Sequence, residues 1–177
     1  MASAFGHALM AITIGKTWSI KTTSVKFWVL GCFCAVIPDA DVLMFNFVDY
    51  GHFLGHRGFF HSLFFCLFLS ILITAVFYKK EKLFGAEGLK YILFFFLCGA
   101  SHGLLDMLTS GGRGVAIFSP FDNERYFFPW RPIKVSPIGV LKFFSGRGIA
   151  VLKSELVWIG IPCFAYMLLM KWMKTRA

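Results

Sequence analysis

The side chains of this chain best suited to holding a metal fall in a few short fragments: His7, Pro38-Asp39-Ala40-Asp41, His56-Arg57-Gly58-Phe59-Phe60-His61-Ser62 and His102-Gly103-Leu104-Leu105-Asp106. Imidazole nitrogens and carboxylate oxygens are the donors that zinc, iron and manganese take. His102 and Asp106 stand one helical turn apart on one face, so a single ion can be gripped by both. Pro38 breaks a helix where Asp39 and Asp41 begin, and Gly58 permits a tight turn between His56 and His61. Taken singly, each fragment has a plainer reading: a buried His bonded to an Asp, solvated acids at a helix end, an interfacial histidine at His7. Together, His7, Asp39, Asp41, His56, His61, His102 and Asp106 are more than one tetrahedral ion requires. They suit two or more divalent metals, zinc expected and manganese the alternative, which would activate water against an anionic transition state. Arg57 beside such a centre, and Arg125 and Arg131 in a later loop, are bidentate partners for phosphate, with a headgroup anchor as the plain alternative. Glu155 is a candidate general base or further ligand, or simply a charge favoured at a helix N-terminus. Asp49 and His52 are read as loop residues.

The elements that position these groups are apolar. Of 177 residues, 58% are hydrophobic, 15% are charged and 23 are Phe, and the mean hydropathy is +0.71. That composition predicts an integral membrane protein. Apolar segments run from about Ala2 to Ile20, Val25 to Phe47, Phe59 to Tyr78, Leu89 to Leu108 and Val151 to Trp172. The expected fold is therefore all-α, a multi-pass membrane bundle of about five helices forming a single domain over residues 1–177. The first two segments are short of a full crossing and are expected to form a hairpin that dips in and returns. Between helices four and five, Thr109 to Lys153 is a long loop rich in aromatics, Gly and Pro, suited to the headgroup layer. Cys32, Cys34, Cys66, Cys98 and Cys163 all lie in apolar runs and read as buried thiols rather than disulfides. No cleaved signal peptide is expected.

If every segment reverses direction, Lys16, Lys21, Lys26, Lys79, Lys80, Lys82, Lys90, Lys171, Lys174 and Arg176 share one face, cytoplasmic by the positive-inside rule. The other face receives every candidate ligand and the long loop. Membrane lipids are the expected partners of the excess positive charge. Nucleic acid is not, since no soluble basic module is present, and no protein partner is indicated. The chain lacks the His-Glu-x-x-His, Gly-x-Ser-x-Gly and Gly-x-x-x-x-Gly-Lys patterns, which sets aside zinc proteases of that type, serine hydrolases and P-loop enzymes.

In order along the chain, His7, Pro38-Asp39-Ala40-Asp41, Gly55 to Ser62, Ser101 to Asp106, Gly111 to Val115 and Phe128 to Ile133 resemble the YdjM/YbcI family. These are bacterial inner-membrane proteins described as LexA-regulated or membrane-bound metal-dependent hydrolases. One departure is Phe60, where the family usually carries Thr before the second His. The resemblance implies a metal-dependent hydrolase of the inner membrane. It also implies distant kinship with zinc phospholipase C and P1-type nucleases, which points to a phosphoester of a lipid or lipid-linked substrate. A divalent-metal transporter and a metal-stapled structural or stress-response protein are the competing expectations.

Overall fold

The structure, a computed structural model, describes residues 1–18, 24–144 and 146–176. Helices α1 (Ala4–Thr17), α2 (Val25–Val36), α3 (Leu63–Phe77) and α4 (Ala86–Met107) form the bundle. After the long loop come α5 (Val140–Phe143), α6 (Gly146–Glu155) and α7 (Ile161–Arg176), the last packed along α1. A π-helical turn, Leu156–Gly160, makes α6 and α7 one continuous helix, and a 3-10 helix, Ile37–Asn46, continues α2. Among the described residues the only β-type pairings are isolated bridges in or beside the long loop, Thr109 with Ile133 and Val115 with Tyr126.

Serine hydroxyls open three helices. Ser3, Ser24 and Ser62 accept from the N–H groups of Gly6, Phe27 and Phe65, each satisfying a donor that a first helical turn leaves open. Ser62 of the histidine motif is therefore a helix cap. The central element is α4, whose buried positions, among them Tyr91, Phe94, Phe95, Cys98, His102, Leu105 and Asp106, face α1, α2 and α3. Phe27 stacks on Phe94 with ring centroids 4.0 Å apart. Nearer the site, a Cβ on Gly103 would come 3.0 Å from the His61 carbonyl oxygen, so only glycine lets the His61 turn lie flush on α4.

Three helices, Val25–Asn46, Ala86–Met107 and Gly146–Arg176, are long and apolar enough to cross a membrane, while Leu63–Phe77 is apolar but shorter. The second segment differs from the short arm expected for it. Its 12 α-helical and 10 3-10 residues reach about 38 Å, beyond the roughly 30 Å of a hydrocarbon core. The 14 residues of α1 remain short, as expected; the expected end at Ile20 and the turn residue Lys21 lie outside the described residues. The last helix begins at Gly146 rather than Val151, because Gly148 is a close-packing residue here rather than a breaker. A Cβ on Gly148 would overlap the Phe143 carbonyl oxygen, so its absence lets α5 turn directly into α6. The lysine-bearing turns meet at one end of the bundle: Lys26 Nζ donates to the Phe77 carbonyl at 2.7 Å, tying the start of α2 to the end of α3. His7, His61, His102, Asp39 and Asp106 gather at the opposite end.

Candidate metal centre

Four side chains from three elements converge there: Asp39 from the 3-10 helix, His61 from the turn before α3, and His102 and Asp106 from α4. One donor atom of each lies within 4.8 Å of all the others. Asp39 Oδ1 is 3.5 Å from His61 Nε2 and 3.4 Å from His102 Nε2. Asp106 Oδ2 is 3.7 and 4.0 Å from the same two nitrogens. His61, His102 and Asp106 have no exposed side-chain surface, and Asp39 keeps 9%.

The groups behind the two imidazoles decide which nitrogens face inward. His102 Nδ1 lies 2.7 Å from the Ala35 carbonyl oxygen. A carbonyl only accepts, so Nδ1 carries the hydrogen and Nε2 presents a lone pair. Pro38 explains why that carbonyl is free. In the 3-10 register that begins here, the partner of residue 35 is residue 38, and proline has no N–H to offer. His61 Nδ1 sits off-axis, 3.1 Å from Asp41 Oδ2, which likewise turns its Nε2 inward. The two Nε2 atoms are then 3.0 Å apart, and two facing lone pairs at that distance repel unless a cation lies between or beside them. Burial works against charge on His61, yet Asp39 and Asp41 outweigh it and push its pKa up to about 9. The cluster thus demands positive charge, supplied by a proton or by a metal.

Orphaned atoms point the same way. Apart from the Tyr78 hydroxyl, the buried side-chain polar atoms without a hydrogen-bond partner among the described residues all belong to this cluster: both nitrogens of His7, Asp39 Oδ1, Arg57 Nε, His61 Nδ1 and Asp106 Oδ2. Buried polar atoms are otherwise almost always paired, and carboxylate and imidazole donors suit a divalent ion. The residues present therefore fit a metal.

The expected ligands divide into layers. Asp41 and His56 form a second group with His61, but Asp41 is already committed. Its Oδ1 is 2.6 Å from His56 Nδ1, and its Oδ2 accepts the Arg57 N–H at 3.0 Å. The same Oδ2 lies 3.1 Å from His61 Nδ1, the position from which an outer carboxylate orients a histidine toward an ion. Asp41→Asn is therefore expected to weaken divalent-ion binding about 10- to 100-fold while the chain still folds, as measured by competition with a fluorescent chelator. Unchanged affinity would remove Asp41 from the support of His61. His7 stacks on His102 with centroids 3.8 Å apart, and its Nε2 is 3.5 Å from Asp106 Oδ1.

Arg57 is wholly buried. Its guanidinium donates to the Gly111 carbonyl and Thr109 Oγ1, both at 2.9 Å, and its Nε lies 3.1 Å from Asp106 Oδ2. Its φ of 64° is left-handed, a conformation that costs a non-glycine residue about 1–2 kcal/mol. The strain is held by its N–H on Asp41 and by its carbonyl, which accepts from Ala116 N–H at 2.9 Å. Glu155 is buried and accepts both the N–H and the hydroxyl of Ser3. Arg125 donates to the carbonyls of His56 at 2.7 Å and Tyr50 at 2.9 Å, clamping the loop before His61. Arg131 is exposed over the Phe127 ring, 4.6 Å from its centroid. Sequence reasoning missed Thr109, which anchors Arg57, and Ala2, whose N–H donates to Asp106 Oδ1 at 2.7 Å. The carbonyl of Ala35 was equally unforeseen, though Pro38 three residues on is its sequence signal.

A helical membrane protein with a buried His/Asp cluster compatible with metal binding is the class that fold and site define. The chain belongs to the YdjM inner membrane protein family, whose family model matches residues 1–177. It is 37% identical over 173 residues to the inner membrane protein YbcI of Escherichia coli (strain K12), covering 97% of this chain and 98% of that protein. No solved structure matches it.

Proposed function

We propose that the chain is a multi-pass inner-membrane hydrolase that uses a divalent metal, zinc before manganese, against a phosphoester of a lipid or lipid-linked substrate. Asp39, His61, His102 and Asp106 would hold the ion, and His7, Asp41, His56 and Arg57 would surround it. A second ion would require Asp41 to give up its bonds to His56 and Arg57 and His61 to bridge through both nitrogens. The geometry therefore supports one inner ion ahead of the two or more expected from residue types alone. The ion would supply the Lewis acidity that cleavage of an anionic ester needs. The chain's own contribution is to hold His61 and His102 in the tautomers that face it, to neutralise Asp106 with Arg57, and to keep an imidazole at hand for proton transfer. By the positive-inside rule, the lysine-bearing end is cytoplasmic and the centre lies toward the extracytoplasmic face.

The observation that carries the reading is His7. Both its nitrogens lack hydrogen-bond partners among the described residues and it stacks on His102, yet it stands outside the four-atom set. A purely structural staple has no use for it, whereas a hydrolase needs a positioned proton carrier. Burial favours the rival reading, since four protein donors and almost no exposure describe a closed structural site. The two separate cleanly on protein purified in a mild detergent. Zinc-loaded wild type should cleave a chromogenic phosphodiester or phosphatidylglycerol, and chelation should stop turnover before it unfolds the chain. No turnover of any phosphoester, with unfolding on chelation, would leave the staple reading standing instead.

A further inference from the structure

Three cations between α4 and α7 that the metal centre does not use, Lys134, Lys142 and Arg147, meet in a separate place. A cavity of about 630 Å³ opens between the segment 134–138 and the α5–α6 corner, walled by Ser110, Lys134, Ser136, Lys142 and Arg147. Among the described residues no carboxylate lines it. The Ser110 hydroxyl accepts the Val135 N–H at 3.3 Å, which leaves its own hydrogen to donate. The apolar residues that flank its lining residues in the chain are turned outward: Leu141, next to Lys142, is 90% exposed, Phe144 77% and Ile149, next to Ala150, 60%. A short amphipathic corner with bare apolar side chains beside clustered cations is how a protein seats itself at the boundary between acyl chains and headgroups. The corner lies at the same end of the bundle as the metal centre, because Glu155, the last residue of α6, bonds Ser3 at the start of α1.

We propose that this cavity binds the phosphate of an anionic phospholipid, with Lys134, Lys142 and Arg147 around the phosphate and Leu141, Phe144 and Ile149 among its acyl chains. Phosphate could equally arrive as a free anion, but an anion from water gains nothing from the exposed apolar rim. The proposal goes beyond the hydrolase reading and stands whether or not the metal centre turns over.

The test uses the full chain in an uncharged detergent, wild type beside the Lys134→Gln/Arg147→Gln double variant. Mixed micelles are titrated with phosphatidylglycerol, with diacylglycerol of the same chains, or with inorganic phosphate alone, and retained lipid is counted by native mass spectrometry. Both substituted side chains are exposed, and metal content measured on the same samples reports separately on the centre. The wild type should retain phosphatidylglycerol in preference to diacylglycerol, and the double variant should bind it about tenfold or more weakly, in line with the contribution of each basic residue at a membrane surface. Equal retention by the two proteins, or no preference over diacylglycerol, would overturn the proposal. Inorganic phosphate binding as tightly as the lipid would also overturn it, in favour of a soluble-anion site.

Discussion

His7→Gln is expected to lower phosphoester turnover about 10²- to 10⁴-fold, the usual contribution of a general acid or base, while metal content stays at the wild-type level. The expectation follows from where the ring sits. It stacks on His102 and its Nε2 lies 3.5 Å from Asp106 Oδ1, but it contributes no donor to the four-atom set. Glutamine keeps much of the volume and a polar end, so the packing of α1 on α4 should survive. Zinc content and turnover are to be measured on the same preparation. Turnover retained with full metal would take His7 out of proton transfer, and metal lost along with turnover would make it a ligand.

Arg57→Leu is expected to cost about 3–5 kcal/mol of stability in metal-free protein, the penalty for stranding one member of a buried ion pair. Asp106 then faces the interior without its guanidinium partner, and Thr109 Oγ1 and the Gly111 carbonyl lose their donor. The left-handed backbone at position 57 leaves the comparison unchanged, because arginine and leucine bear the same strain there. A bound divalent ion would offset part of the loss by supplying the missing charge beside Asp106. Denaturant unfolding in detergent should therefore show a larger drop with chelator than with saturating zinc. An equal small drop in both states would mean that Arg57 serves a substrate rather than Asp106.

The convergence of the site was legible in the sequence because it follows from counting reversals: apolar segments that alternate direction bring His7, Asp39, His61, His102 and Asp106 to one end. The family was legible for a related reason, since the motifs fall in order over the whole chain. The division of labour was not. Asp39 and Asp41 look equivalent on paper, yet in a 3-10 helix two residues apart point in different directions. Asp39 therefore faces the inner nitrogens, while Asp41 is spent on His56 and the Arg57 backbone. Arg57 and Arg125 read as phosphate binders because guanidinium chemistry is all a sequence displays. In the folded chain Arg57 meets the Gly111 carbonyl, Thr109 Oγ1 and Asp106, and Arg125 meets the carbonyls of His56 and Tyr50, partners that only folding brings near. Glu155 is taken by Ser3 across the bundle for the same reason. The start of the last helix was hidden because Gly146 and Gly148 have the composition of a breaker, and only the approach of Phe143 shows what the missing Cβ is for.

The central claim is that Asp39, His61, His102 and Asp106 hold a divalent ion. Elemental analysis of wild type beside His102→Ala and Asp106→Ala, each still monodisperse by size exclusion, tests it most directly. About one zinc or manganese per wild-type chain, as one four-donor site requires, absent from both variants, is the expected result. Folded wild type that takes up no divalent metal even after incubation with excess zinc, or variants that retain as much as wild type, would contradict the account.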